Sequence, residues 1–441
     1  MRPGRTAVAL ATLLSLAAPA FAQSPSPPPP AAVAGAIPPT IGARASDILA
    51  IMRGQGDVAA TFHPTFLAEI SEEKLRAIAK QLSDQYGAPL RLMKINAADD
   101  RQATFELDYE RGVAQVSLVL AGPQDGHKVT GFWITQVAPK GDNLAAIQSG
   151  FAALDGDSAF GIYSLKGAEL RPLLEGGVRT PLATGSSFKL VLLAALDADI
   201  RAGRRKWSDV VPLSHKSLPS GQIQNWPDRA PMTLQSLATL MISISDNSAT
   251  DTLLHLLGRE RVSDFALKQN MLDSKGMPVL STLEAFVLKE PGHKAMRERW
   301  AKARAPERLA LLRSEARGWT VADAKAVMLT GTPQAIDTVE WFATPRQMAN
   351  ALAWFVDKAS PEARAILAVN PGLPDPARRG WSYIGYKGGS ETGVIAANYL
   401  LIDKDGRRYI ISAAWNNRTK AVDNDRFFAL INRMITLAAP K

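Results

Sequence analysis

The sequence predicts an α+β protein in two folded parts: a small domain of helices and a strand meander, then a larger domain in which an antiparallel sheet is flanked by helices and carries an inserted helical subdomain. Three observations predict it. In the larger part, strand-like runs lie at both ends and helical runs lie between them, an order that closes into one sheet when the first and last strands pair. In the smaller part, four strand-like runs follow one another closely after a helix, as in a meander. Ahead of both, Pro25, Pro27 to Pro30, Pro38 and Pro39 mark a stretch that favours extended conformations and cannot build a core. A balance of 46% hydrophobic and 21% charged residues over 441 positions supports two globular domains and argues against a multi-span membrane protein or a disordered chain.

The elements follow in order. Residues 1–22 hold Arg2 and Arg5, an apolar run from Ala7 to Ala18, and Ala20-Phe21-Ala22. These are the n-region, h-region and A-x-A site of a secretory signal peptide, and the apolar run is too short to span a bilayer comfortably. Cleavage and secretion to the periplasm are expected, with no stable membrane span afterwards. The formal charge then falls from +9 by the two arginines, 9 − 2 = +7. Such a charge suits anionic substrates. No RNA-recognition signature, zinc finger or long basic run is present, so no nucleic-acid partner is expected. A proline-rich linker is expected over 23–45.

The small α+β domain is expected over 46–137. Ser71 caps a helix whose first turn carries Glu72 and Glu73, its apolar face is Leu75, Ile78, Ala79 and Leu82, and Gly87 ends it. Strand-like runs follow at Leu90 to Ile95, Ala103 to Tyr109, Val113 to Leu120 and Val129 to Ile134, with Arg111-Gly112 as a hairpin turn. This order resembles the cone-shaped sheet of the nuclear-transport-factor (NTF2-like) and ketosteroid-isomerase group. Asp108 and His127 are the candidates for function there, with solvated turn or edge positions as the simpler reading.

The larger domain is expected over 138–441. It opens with a helix from Leu144 to Ala153 and strands near Phe160 to Ser164 and Glu169 to Leu174. A long helical region runs from Ser186 past Trp341. Strands from Trp381, Val394 and Arg408, joined in the last case by Asp405-Gly406, lead to a final helix from Asp425 to Leu437.

Composition narrows the chemistry. There is no cysteine, which removes disulfides, Cys-zinc sites, iron–sulfur clusters and thiol nucleophiles. The five histidines form no close pair, so neither a metal site nor a cofactor is expected. Serine, lysine, aspartate, glutamate and asparagine must do the work.

Three motifs supply it together. Ser186-Ser187-Phe188-Lys189 is an S-x-x-K box followed by an apolar helical run. Positions i and i+3 share a helix face, so the Lys189 amine can reach the Ser186 hydroxyl and, if desolvated, act as its base. Ser245-Asp246-Asn247 is a polar triplet between two apolar helical runs, readable as a helix cap or as a proton shuttle with a substrate-amide clamp. Lys387-Gly388-Gly389-Ser390 ends a strand-like run. Its glycines permit close approach of a substrate backbone, and Lys387 offers a positive charge for a carboxylate.

In this order, with 245 − 186 = 59 residues between the first two boxes, the chain resembles the serine β-lactamase and penicillin-binding protein superfamily. Met232-Thr233-Leu234 and the Thr344-Pro345-Arg346-Gln347-Met348 helix start resemble its class A-like branch. The two-domain layout resembles serine hydrolases encoded with clavulanic-acid biosynthesis. The resemblance implies that Ser186 is the acylated nucleophile and Lys189 its base. Ser245 would pass a proton to the leaving nitrogen, tuned by Lys387, and Asn247 would bind the acyl side chain. Lys387, Gly389 and Ser390 would bind substrate, with the backbone N–H groups of Ser186 and Ser390 forming the oxyanion hole.

Two departures stand out. The third box is Lys-Gly-Gly, so Gly388 lacks the hydroxyl that usually meets the substrate carboxylate, and Ser390 is a partial replacement. No Glu-x-x-Leu-Asn segment holds a deacylating water. Glu284 lies 284 − 247 = 37 residues after Asn247, at about the right interval, but Leu288 stands where the asparagine belongs. Glu284 is therefore a catalytic candidate whose alternative is an ordinary helix glutamate. The stretch Glu290 to Met328 reads as a solvated helical insertion, and Arg346 and Arg407 as surface arginines. The implied function is a serine β-lactamase, probed against a D-Ala-D-Ala carboxypeptidase or esterase and against a non-hydrolytic penicillin-recognising sensor. A β-lactam or peptidoglycan-like substrate and a monomeric protein are expected.

Overall fold

The computed structural model describes residues 37–438 except 168, 219, 325–330, 374–377 and 379, and excludes the side chains of residues 135 and 136. The expected signal peptide and most of the expected linker lie outside the described residues. The chain divides into two compact units between Asn143 and Leu144.

In the first unit the linker expectation needs correcting. Helix α1 (Pro39–Met52) occupies residues assigned to the linker. Proline at the first helical position loses no hydrogen bond, because that N–H has no partner inside the helix anyway. Ile41, Ala45, Ile48, Ile51 and Met52 line its buried face. Helix α2 (Glu72–Tyr86) is capped by Ser71, whose side chain accepts from Lys74 N, and ends at Gly87 in the left-handed region. Strands β1 (Pro89–Ala97), β2 (Gln102–Tyr109), β3 (Gly112–Leu120) and β4 (Val129–Pro139) form an antiparallel meander in that order. Asp108 is buried and paired with Lys140 at 2.6 Å and Arg91 at 3.1 Å. Those two cations hold its carboxyl below the usual range. His127 sits in the turn before β4 at φ 51, its carbonyl accepting from Arg44.

The second unit opens with α3 (Leu144–Ala152), β5 (Asp157–Lys166) and β6 (Glu169–Gly176). A two-residue strand β7 (Leu182–Ala183) leads into α4 (Lys189–Arg201). Next come α5 (Leu234–Ser243), α6 (Asn247–Leu257), α7 (Thr282–Lys289), α8 (Lys294–Lys302) and α9 (Ala305–Glu315). Strand β8 (Phe342–Ala343) pairs with β7. After α10 (Pro345–Asp357) the chain forms β9 (Trp381–Glu391), β10 (Val394–Asp403) and β11 (Arg408–Asn416), and closes with α11 (Asn424–Ala438). Among the described residues the main sheet has the order β9-β10-β11-β5-β6, antiparallel throughout. First and last strands do pair, at β11 and β5, as the sequence order requires.

Each face of this sheet has its own apolar layer. Ile147, Phe151, Phe427, Ile431 and Met434 from α3 and α11 pack on one face with Ile395, Ala397 and Tyr399. Helix α10 packs on the other face, and α4 packs against α10. The stretch of α4 from Leu190 to Leu196 is apolar all round, with Leu190 to Ala194 and Leu196 each at most 1% exposed, as a helix surrounded by others must be. The inserted segment is anchored at both ends. Asp251 of α6 accepts hydrogen bonds from Thr282 N at 2.7 Å and Leu283 N at 3.0 Å, which places a carboxyl at the N-terminus of α7. At the other end, Lys289 bonds Glu340 at 2.6 Å and Glu391 at 2.5 Å in the interior.

Candidate active site

The S-x-x-K box lies at the join of β7 and α4. Asn416 grips β7 through both backbone groups of Ala183: its Oδ1 accepts from Ala183 N at 2.8 Å and its Nδ2 donates to Ala183 O at 3.0 Å. Thr184 donates to Trp341 O from its amide and its hydroxyl, at 3.0 and 2.8 Å. Gly185–Phe188 then form one 3₁₀ turn before α4 begins at Lys189. Side chains three apart eclipse in a 3₁₀ turn, so Ser186 and Lys189 share a face. Phe188 stacks on Trp341 with ring centroids 4.1 Å apart and locks the turn from behind. Ser186 is half-buried, and its hydroxyl makes no hydrogen bond among the described residues; Lys189 is fully buried.

Lys189 points at the second box. Its Nζ donates to Ser245 O and Asn247 Oδ1, both at 2.6 Å, and lies 3.1 Å from Ser245 Oγ. Burial, reinforced by repulsion from Lys387, pushes its pKa well below the ordinary lysine value, against the pull of Asp251 and Asp246. The two carbonyl oxygens can only accept, so they fix two N–H bonds. The third N–H direction faces Ser245 Oγ. Lys387 Nζ approaches the same hydroxyl from the other side at 3.0 Å and also donates to Gly388 O at 2.7 Å. Burial lowers the Lys387 pKa to about 7. Both lysine amines thus converge on the Ser245 hydroxyl, each within hydrogen-bond reach.

Ser245 and Asp246 divide the two roles that the triplet suggested. Asp246 is the cap of α6: Oδ1 accepts from Ala249 N at 2.9 Å, and Oδ2 accepts from Gln222 N at 2.7 Å and Ile223 N at 3.1 Å. Ser245 is held at φ 59, a left-handed conformation that costs a non-glycine residue about 1–3 kcal/mol. This kink between α5 and α6 turns its hydroxyl to the two lysines. Asn247 is also anchored, with Nδ2 donating to Leu218 O at 3.1 Å.

The third box lies within β9, which runs on to Glu391, and not at a strand end. Lys387 and Gly389 are on the face that meets the nucleophile turn. A Cβ on Gly389 would lie 2.5 Å from Ser186 N and 2.1 Å from Thr184 O, so only glycine lets the turn settle on the strand. A Cβ on Gly185 would lie 3.0 Å from Ser390 N. The Ser186 and Ser390 amides are therefore neighbours, contributed by two different elements.

Glu284 is placed differently. It is the third residue of α7 and half of a capping box: Oε2 accepts from Ser281 N at 2.8 Å, while Ser281 Oγ accepts from Glu284 N at 3.1 Å. Oε1 pairs with Arg259 at 2.6 Å. Both carboxylate oxygens have structural partners, and none of these partners belongs to the three boxes. Arg346 pairs with Glu175, and Arg407 with Asp403 and Asp405.

Sequence reasoning missed Asn398 of β10, which ties the first and third boxes together. Its Nδ2 donates to Ser187 Oγ at 2.9 Å and Lys387 O at 3.2 Å, and its Oδ1 accepts from Ser412 Oγ at 2.7 Å. A lone asparagine within the apolar run Val394 to Ile402 was the available signal. The Lys289, Glu340 and Glu391 cluster was also missed. Its members lie 51 and 102 residues apart in sequence, and no local pattern links them.

Residues 146–437 match the model of a family described as a beta-lactamase enzyme family. No curated protein matches the chain. Among solved structures, the chain is similar to a beta-lactamase from Sphaerobacter thermophilus, with 22% identity, 67% of this chain and 97% of that chain covered, and a TM-score of 0.46. It is similar to PBP-A at 14% identity, covering 67% and 93%, with a TM-score of 0.47. It is similar to a beta-lactamase from Francisella tularensis at 14% identity, covering 67% and 97%, with a TM-score of 0.47.

Proposed function

The chain belongs to the beta-lactamase enzyme family, and from that premise we propose that it is a serine hydrolase acylated at Ser186, cleaving the amide bond of a β-lactam. The observation that carries the reading is the Ser245 hydroxyl held between Lys387 at 3.0 Å and Lys189 at 3.1 Å, beside a half-buried Ser186.

The steps follow from those positions. Ser186 Oγ attacks the lactam carbonyl and its proton passes to Lys189, which acts as base in its unprotonated form. The carbonyl oxygen becomes an oxyanion facing the Ser186 and Ser390 N–H groups, a contribution typically about 2.7–4 kcal/mol per donor. The C–N bond then breaks. The leaving nitrogen takes the Ser245 proton, and Ser245 recovers one from the lysines beside it. Water later adds to the ester carbonyl and frees Ser186. Lys387 gives the substrate carboxylate its counter-charge.

A second reading has specific support, because the Glu284 carboxylate is engaged by Ser281 and Arg259. In that reading the acyl-enzyme forms readily and hydrolyses slowly, as suits a D-Ala-D-Ala carboxypeptidase or a penicillin-binding role. Export to the periplasm belongs to the same proposal and rests on residues 1–22; N-terminal sequencing of the exported protein should begin just after Ala22.

One experiment separates the readings. Purified protein is incubated with a penicillin while intact mass and turnover of a chromogenic cephalosporin are followed. The β-lactamase reading expects turnover that is lost in Ser186→Ala. A long-lived adduct without turnover favours the second. Neither adduct nor turnover, with Ser186→Ala indistinguishable from the unaltered protein, would sink both.

A further inference from the structure

Gly388 is the position where the third box lacks a hydroxyl, and the space beside it is already occupied by one. Tyr386 and Gly388 are two apart in β9 and so project to the same face. A Cβ built on Gly388 would lie 2.2 Å from the Tyr386 phenolic oxygen and 3.0 Å from its ring carbon Cζ. The phenol thus stands where a residue-388 side chain would stand. Glycine is required at 388 because Tyr386 reaches over it.

The tyrosine is held rigidly. Its ring stacks on Tyr399 of β10, with centroids 4.6 Å apart and planes at 29°. Tyr399 is itself fixed by donating to Gly372 O at 3.0 Å. A Cβ on Gly372 would fall 2.5 Å from the Tyr386 ring, so that loop closes over it. Burial lifts the Tyr386 pKa to about 12, which keeps the phenol protonated and able to donate at any ordinary pH. Tyr386 is only half-buried. Among the described residues, β9 is also the edge strand of its sheet. A ligand lying along that edge is reachable from both faces: by Lys387 from one and by Tyr386 from the other.

We propose that Tyr386 is a substrate-binding, specificity-determining residue whose hydroxyl, together with Lys387, holds the carboxylate of the acyl donor. This rests on the acyl-transfer reading of Ser186. It differs from assigning that contact to Ser390, and it makes the Lys-Gly-Gly box a relocation of the hydroxyl by two residues along the strand.

The test compares benzylpenicillin with its methyl ester, in which a neutral ester replaces the carboxylate. In the unaltered protein, acylation of Ser186 is expected to be faster with the free acid. Tyr386→Phe keeps the ring and removes one oxygen. A hydrogen bond to a charged group is strong enough that roughly a ten-fold or larger loss in the second-order acylation rate is expected for the acid, with the ester unchanged. Tyr386→Ala should lose the preference too, and adding Gly388→Thr to that variant should restore it, because the clash with the phenol is then gone and only the Ala396 carbonyl, 3.1 Å away, stays close to a Cβ at 388. Equal losses for acid and ester, or no loss for either, would overturn the assignment while leaving Ser186 acylation intact. If Tyr386→Phe melts well below the unaltered protein, the pair of alanine variants decides alone, and failure of Gly388→Thr to restore the preference overturns it. Absence of any Ser186 adduct in the unaltered protein would instead remove the acyl-transfer reading, and this assignment with it.

Discussion

Lys387 donates to the Ser245 hydroxyl at 3.0 Å across 142 residues of sequence, joining the edge strand of the sheet to the kink between two helices. The two residues have opposite requirements. Ser245 needs a donor beside it to give up its proton, and Lys387 is pressed by burial toward losing its own.

The pH dependence of this pair follows from the sign of the shift. The Lys387 pKa is about 7 in the folded protein, below its ordinary value of 10.5. The unfolded chain therefore binds more protons between those limits. The stability contribution is full above the unfolded value and is lost as pH falls through about 7. The free energy of unfolding should rise with pH from about 7 upward, by up to about 1.4 kcal/mol per pH unit for this one group, and the melting temperature with it. Lys387→Met should flatten that slope. In the unaltered protein, affinity for an anionic β-lactam should weaken above about pH 7, read as a rise in KM.

Ser245→Ala should leave the fold in place, since Asp246 keeps the cap of α6. Removal of a positioned proton donor costs typically 10²–10⁴-fold in rate. The expected result is a fall of that order in the rate of Ser186 adduct formation, measured by stopped quench and mass. An unchanged acylation rate would show that the leaving nitrogen takes its proton elsewhere.

Glu284→Gln distinguishes a cap from a catalyst. The capping box and the Arg259 pair predict a loss of stability of about 0.5–2 kcal/mol by urea unfolding. They also predict that the lifetime of the acyl-enzyme changes by less than a few-fold. If the variant instead accumulated adduct while turnover ceased, the water-activating role would be restored to Glu284.

The interior cluster of Lys289, Glu340 and Glu391 should respond unequally to its members. Burial raises the Glu391 pKa well above 4.5, opposed by the Lys289 charge and helped by Glu340. Burial also pulls Lys289 down, but the Glu340 and Glu391 charges more than offset it. Lys289→Met leaves the buried Glu340 carboxylate without its counter-charge and should cost about 3–5 kcal/mol in urea unfolding. Glu391→Gln resembles the protonated acid and should cost less than about 1 kcal/mol. A raised carboxyl pKa contributes stability that is complete below about 4.5 and is lost as pH rises through the folded value. Glu391→Gln should therefore remove part of the decline in stability on that rise.

Much of this was legible in the residues. The capped helix after Ser71, the helix starts at Leu234 and Pro345, and the sheet closed by its first and last strands all follow from local periodicity and punctuation. The hairpin turn expected at Arg111-Gly112 lies one residue earlier, at Glu110-Arg111, with Gly112 opening β3. The three boxes could be read because each is short and their order along the chain is itself a signal. What stayed hidden depends on distance. Proline abundance alone marks Pro39 as linker, whereas its fitness for a first helical turn decides its place in α1. Asn398 carries no motif, and its role exists only once β10 lies between Ser187 and Ser412. The interval from Asn247 suggested Glu284, but spacing cannot say whether a carboxylate faces a cavity or its own helix end. Gly388 read as a loss until the neighbouring Tyr386 could be placed above it.

The position of β9 has a consequence beyond the reaction. A strand at the margin of a sheet offers a row of unpaired amide and carbonyl groups to any passing chain, and proteins usually blunt such margins. Here the margin has to stay bare if a small ligand is to lie along it. The buried ammonium of Lys387, the bare glycines at 388 and 389 and the nucleophile turn resting on them make the strand a poor template for a second polypeptide. Gly388→Val and Gly389→Val would add β-branched apolar surface there, and the outcome to watch is self-association as much as lost activity. On this reading, the same features that would admit a substrate would also discourage pairing of this edge with a second chain.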